Sequence, residues 1–176
     1  MNSVSSVYST ALFSLASDEN KIDIIMDHLC TLNTVLKENK EYFTILDSPT
    51  ISLPERLSLI DEAFSQADEY VLNFMKVLCE KKCVHLFGDC VKQFEKLYNK
   101  EKNIEKVTVI TATELSDALK DKLVKKLEKE YSKKVLPEYK IDKEILGGII
   151  IRTENSQTDA SVRARLDAIR TQICDS

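Results

Sequence analysis

The sequence predicts a mainly α protein in two parts, an N-terminal domain of six helices over residues 1–104 and a small C-terminal α/β (α+β) domain over 105–176. Three observations carry this reading. Glycine and proline number three each among 176 residues, which leaves few positions for tight turns. Apolar residues recur at three- and four-residue intervals as far as about Asn99, the period of one helix face. At Ile104 the period shortens to the two-residue alternation of a strand, in a run rich in β-branched side chains.

In the first helix Val4, Val7, Tyr8, Ala11, Leu12 and Leu15 place a broad apolar stripe on one face, and Asp18 to Asn20 interrupt it. A second helix over about 21–38 is built on Ile22, Ile25, Leu29, Leu32 and Leu36. Ile24, Met26 and Val35 widen its apolar arc enough for packing on more than one side. A short helical turn from Glu41 to Leu46 ends before Ser48-Pro49, because the residue preceding proline is biased away from helix. Ser52 and Glu55 form a capping-box pattern with Pro54 in the first turn, so a fourth helix runs over 53–65 with Leu57, Ile60, Ala63 and Phe64 inward. A fifth spans 68–81 with Val71, Leu72, Met75, Leu78 and Cys79 on its buried face. After a bend near Lys82, a sixth carries Val84, Phe87, Val91, Phe94, Leu97 and Tyr98. Helices this short are marginal alone, so packing of their apolar faces must supply most of their stability.

The strand expected over 104–111 alternates Val107, Val109 and Thr111 with Lys106, Thr108 and Ile110. Leu115, Leu119, Leu123 and Leu127 return the pattern to helix, with Ser116 as N-cap. Two further strands, 135–141 and 146–152, read as a hairpin. A terminal helix follows, with Val162, Leu166, Ile169 and Ile173 apolar and Asp159 capping its first turn.

The residues offer no catalytic constellation. His28 and His85 sit in expected helices without metal-ligand spacing, and Cys79, Cys83 and Cys90 lack the paired short spacing of a zinc knuckle, so they read as small buried hydrophobes. Gly147-Gly148 leads into Ile149, Ile150 and Ile151 rather than into a phosphate-binding Lys-Ser or Lys-Thr. Neither a cofactor nor a metal is implied. The five cysteines are an odd count behind no secretory segment, which favours a reduced compartment, and no 18-residue apolar run provides a spanning helix.

Charge is unevenly divided. Residues 1–75 hold 4 basic and 12 acidic side chains, and residues 76–176 hold 21 basic and 17 acidic ones. Seven of the lysines, Lys120, Lys122, Lys125, Lys126, Lys129, Lys133 and Lys134, lie in or just after the expected C-terminal-domain helix. A nucleic-acid adaptor would use them, but they lack interleaved aromatics and belong to an acidic chain, so solvation or protein contact is the better reading.

The run Ile141-Asp142-Lys143-Glu144-Ile145-Leu146-Gly147-Gly148-Ile149-Ile150-Ile151, followed by Asp159-Ala160-Ser161-Val162 and Leu166, resembles the delta subunit family of bacterial F-type ATP synthase, relatives of the mitochondrial oligomycin-sensitivity-conferring protein. Asp142, Leu146, Gly147, Gly148, Asp159 and Ser161 are the structural motif of that resemblance. Tyr8, Ala11 and Leu12 match the family's Tyr-x-x-Ala-Leu opening, Pro49 its proline break, and Asn73-Phe74 a pair in the fifth helix. The similarity spans almost the whole chain. Arg56 and Lys82 exchange the basic residue type usual in the family while keeping the charge, and Thr153-Glu154 replaces its frequent Ile-Gly-Asp strand ending.

The resemblance implies an N-terminal six-helix bundle and a smaller domain of strands and helices, present as one copy in the enzyme. It implies a non-catalytic stator subunit of a proton-translocating ATP synthase, holding the catalytic head against rotor torque. Residues 1–104 would bind the head through the N-terminal helix of an alpha subunit, in a groove of the first and fifth helices. Tyr8, Ala11, Leu12, Leu15, Val71, Asn73, Phe74 and Lys76 are its candidate contacts. Residues 105–176 would bind the b subunits of the peripheral stalk. Membrane association would be indirect, at the cytoplasmic face of the bacterial cell membrane, and no nucleic acid is expected as a partner.

Overall fold

The computed structural model describes residues 4–48, 50–142, 145, 147–153, 156–164 and 166. Pro49, Lys143, Glu144, Leu146, Glu154, Ile169 and Ile173, all named in the sequence reading, lie outside the described residues. The described chain is mainly helical with one four-stranded sheet, an α+β arrangement, and it divides into two compact units, Met1–Tyr98 and Asn99–Ser176.

The first unit contains α1 (Val4–Asp18), α2 (Ile22–Glu38), α3 (Lys40–Asp47), α4 (Leu53–Ala63) and α5 (Glu69–Glu80). A 3-10 turn (Val84–Leu86) then leads into α6 (Phe87–Glu101). With so few glycines, helices end on ordinary residues held left-handed: Asn20 after α1 and Lys82 after α5. Both ends close as Schellman turns, with the Lys21 amide donating to the Ala16 carbonyl at 2.9 Å and the Cys83 amide to Leu78 at 2.8 Å. The Ser52–Glu55 capping box opens α4, the Ser52 amide donating to Glu55 Oε2 at 3.2 Å. Asp68 caps α5 by accepting the Tyr70 amide at 3.0 Å and also pairs with Lys21 at 3.3 Å, tying the start of α5 to the start of α2.

One apolar core runs through this unit, with Ile25, Leu29, Leu36, Leu46, Ile60, Val71, Leu78, Phe87 and Phe94 at its centre. Arg56 is buried beside it and donates to the carbonyl oxygen of Leu46 at 2.9 Å, satisfying the end of α3. The wide apolar arc expected of α2 is only partly covered: Ile24 is 50% and Val35 40% exposed, because neighbouring helices approach from the Ile25–Leu29–Leu36 side.

The second unit contains β1 (Ile104–Thr111), α7 (Asp117–Tyr131), β2 (Lys134–Ile141), β3 (Ile149–Arg152) and β4 (Gln157–Asp159). The strand order is β2-β1-β3-β4. This corrects the expected hairpin of 135–141 with 146–152. The α7 crossover lets β2 lie parallel to one side of β1, with Val107 opposite Pro137 and Val109 opposite Tyr139. The chain then passes to the other side of β1, where β3 runs antiparallel, and the hairpin is formed by β3 and β4. Val107, Val109, Val135 and Leu127 make the core, covered by Leu123, Val124, Tyr131, Tyr139, Ile149 and Ile151. Leu119, expected on the inner side of α7, is 52% exposed. A row of exact four-residue spacing rotates by about 40° per step around a helix of 3.6 residues per turn, so Leu119 and Leu127 cannot share one narrow face.

The motif residues meet at the ends of β3 and β4. Val162 donates its amide to the Gly147 carbonyl at 3.0 Å, and Ala160 to Ile149 at 2.9 Å. Gly147 and Gly148 both have positive φ, 151° and 88°. A Cβ on Gly148 would lie 2.6 Å from the Ala160 carbonyl oxygen and 2.8 Å from the Ser161 Cα, whereas one on Gly147 would meet only the Val162 side chain at 3.3 Å. Asp142 donates its amide to Thr111 at 2.9 Å, extending the β1–β2 pairing by one residue. Ser161 is the N-cap of the helical turn that begins at Val162, its hydroxyl oxygen accepting the Ala164 amide at 3.2 Å. Asp159 braces that cap by accepting the Ser161 amide at 2.9 Å. Thus Asp159, expected to cap the helix itself, acts one step removed.

Two measurements check this junction. Gly148→Ala, which adds backbone strain and a backbone clash, is expected to lower unfolding stability by at least about 2 kcal/mol, and Gly147→Ala by about 1 kcal/mol, in denaturant titrations. The order of the two effects is the decisive result. The hydrogen bonds from the Ser161 hydroxyl and amide hold the Asp159 carboxyl below its ordinary range. Its contribution to stability is therefore complete above the unfolded carboxylate value and lost as pH falls through the lower folded value. Asp159→Asn should lower stability at neutral pH and leave it unchanged at strongly acid pH, so that this acid limb of the stability–pH curve flattens.

Candidate protein interface

Helix α1 carries two different stripes. The buried one consists of Ser5, Ser9, Leu12 and Ala16, spaced four, three and four residues apart, with exposures of 6%, 1%, 6% and 0%. Its small side chains allow close approach to α6: Ser9 Oγ lies 2.6 Å from the Ser5 carbonyl oxygen and 2.9 Å from that of Cys90. Phe13 meets Phe94 edge to face with ring centroids 5.4 Å apart. The second stripe contains Val4, Val7, Tyr8, Ala11 and Leu15. Val4 is 52%, Val7 58% and Leu15 41% exposed; Ala11 is also exposed and Tyr8 half-buried. The apolar face legible in the sequence of α1 therefore points mostly to solvent.

On α5, Val71 and Phe74 belong to the core, where Phe74 meets Phe87 of α6 at 6.3 Å. Asn73 and Val77 are exposed on the opposite side, and Lys76 stands half-exposed, paired with Asp61 at 2.6 Å. Helix α6 thus touches α1 through Phe94 and α5 through Phe87. Of the eight candidate contacts, Tyr8, Ala11, Leu15, Asn73 and Lys76 offer surface, while Leu12, Val71 and Phe74 support that surface from beneath. Val4 and Val7 on α1 and Val77 on α5, absent from the candidate set, are also exposed apolar residues. The three-residue step from Val4 to Val7 was the available signal.

His28, Cys79 and Cys90 have structural roles. His28 Nδ1 accepts the Asp68 amide at 2.8 Å, fixing the turn before α5. Burial pushes the thiols of Cys79 and Cys90 up, keeping both protonated and unreactive at neutral pH. Among the described residues no group of three or more His, Cys, Asp or Glu is placed to hold a metal ion, and no helix is long and apolar enough to cross a membrane.

Residues 4–173 match the family described as ATP synthase delta (OSCP) subunit. The ATP synthase subunit delta of Clostridioides difficile (strain 630) is 31% identical over 99% of this chain and 98% of its own. That of Clostridium botulinum (strain Loch Maree / Type A3) is 30% identical over 93% of this chain and 92% of its own. A chain of the Toxoplasma gondii mitochondrial ATP synthase hexamer shares the fold, with a TM-score of 0.77, 20% identity and 98% of each chain covered.

The sorting of α1 into supporting and exposed residues has a direct consequence for stability. Leu12→Ala is expected to cost about 2–4 kcal/mol, as for other buried leucines, whereas Val7→Ser and Leu15→Ser should stay within about 0.5 kcal/mol of the parent. Thermal or urea unfolding of the three variants tests it, and equal losses would show that the outer stripe is packed.

Proposed function

The chain belongs to the ATP synthase delta (OSCP) subunit family and is a peripheral-stalk-linking subunit of an ATP synthase; from this premise we propose how its two parts do that work. The six α-helices of residues 1–104 act as one bundle that binds the N-terminal helix of an alpha subunit in the catalytic head. Residues 105–176 bind the b subunits of the peripheral stalk. The subunit serves as a single copy without an active site of its own, at the cytoplasmic face of the bacterial membrane, in a proton-translocating enzyme. It keeps the head from turning with the rotor.

The exposed stripe of Val4, Val7, Ala11 and Leu15 carries this reading. An apolar ridge along a whole helix is the surface on which an amphipathic partner helix buries its own apolar side. Asn73 and Val77 on α5 and the half-buried Tyr8 provide its proposed margin. Mechanical linkage then follows from two attachments on one chain, since torque is resisted only while both hold.

Calorimetric titration of an alpha-subunit N-terminal peptide into the full chain tests the head-binding part. Ala11→Asp with Leu15→Asp should weaken binding by about two orders of magnitude, as for loss of central interface contacts. Ile24→Asp, at an equally exposed apolar position on α2, should leave it unchanged. Equal binding by all three proteins would remove the α1 surface from the function.

A further inference from the structure

The solvent face of α7 carries a ridge of four lysines flanked by the exposed carboxylates of Asp121 and Glu130. Lys122, Lys125, Lys126 and Lys129 are all exposed, and successive steps of about 100° per residue place them within an arc of about 100°. Leu123, Val124, Leu127 and Tyr131, which pack on the sheet, occupy the other side of the helix. Lys120 and Lys133 at the two ends are already paired, with Asp117 at 3.1 Å and Glu105 at 2.7 Å. None of the four ridge lysines has an ion pair among the described residues. They stand at three- and four-residue spacing to one another, where like charges repel and weaken a helix. Leu119, 52% exposed, lies at the edge of the ridge one turn toward its start.

We propose that this ridge is the docking surface for an acidic helical segment of the peripheral stalk. The proposal rests on the assignment of residues 105–176 to the stalk and specifies the chemistry of the contact. Charge complementarity selects the occupant. A helix with carboxylates at matching three- and four-residue steps neutralises the four lysines in register, relieves their mutual repulsion, and can place one apolar side chain on Leu119. A phosphate polymer fits less well. The ridge contains neither arginine for bidentate phosphate contacts nor an aromatic for base stacking, and the first 75 residues, with 12 acidic and 4 basic side chains, repel a long polyanion.

The test uses the full chain and the purified peripheral-stalk subunits of the same cells, with affinity measured at low and high salt. Substituting Lys122→Glu, Lys126→Glu and Lys129→Glu together should weaken binding at least about tenfold at low salt and flatten its salt dependence, while Lys→Arg at the same three positions should retain both. Lys→Gln at these positions should give an intermediate loss, and it serves as the readout if the Glu variant does not fold. Native affinity and salt dependence in the Glu and Gln variants would overturn the ridge while leaving the stalk assignment standing. Failure of the unsubstituted chain to bind the stalk subunits, with alpha-peptide binding intact, would overturn the stalk assignment itself and the ridge with it. Tighter binding of polyuridylate than of stalk subunits, lost in the Glu variant, would give the ridge to nucleic acid and overturn the acidic-helix proposal.

Discussion

The contact between α1 and α6 determines what the first unit presents to its surroundings. Ser9 places its hydroxyl between the carbonyl oxygens of Ser5 and Cys90 with almost none of its surface exposed. A buried hydroxyl is tolerated only when such hydrogen-bond partners are in reach. With Ser5 and Ala16 equally small, α1 lies close on α6, and Phe13 reaches Phe94. Rotating the helix to bury Val4, Val7 and Leu15 instead would force larger side chains into that gap and leave the Ser9 hydroxyl without its partner across the contact. The outward apolar stripe is therefore fixed by the inward small one.

The second unit shows the same dependence of surface on a tight internal contact. Gly148 lets the start of β3 press against the backbone of Ala160 and Ser161, and this closeness lets Val162 bond to Gly147. Asp159 and Ser161 then set the direction in which the chain leaves the sheet. On the far side of β1, the α7 crossover buries one face of its helix and turns the lysines out. In both units the packed face of a helix decides which of its side chains face solvent.

Periodicity made the helices, β1 and the change near Ile104 legible, because each has an apolar face that repeats. It could not say which of two stripes on α1 packs inward, since Ser5 and Ser9 carry no hydrophobic signal and act through size. Nor does it reveal the hairpin: β4 is the exposed run Gln157-Thr158-Asp159, with no apolar alternation to mark it as the partner of β3. Four-residue spacing alone places Leu119 inward, and the rotation that this spacing accumulates turns it out. The glycine and aspartate motif was visible as residues, but their meeting across the fold depends on the β3–β4 turn, which no spacing rule gives. The candidate contacts on α1 and α5 came from family resemblance; their division into surface and support required side-chain burial.

The outward stripe of α1 also has a cellular meaning. A copy released from the ribosome in excess of its complex keeps Val4, Val7 and Leu15 in water, close to the chain's beginning. Exposed apolar surface of this kind is what chaperones bind and proteases sample. An apolar stripe in water lowers the solubility of the chain that carries it, so on the proposed function the unassembled subunit is the less soluble form.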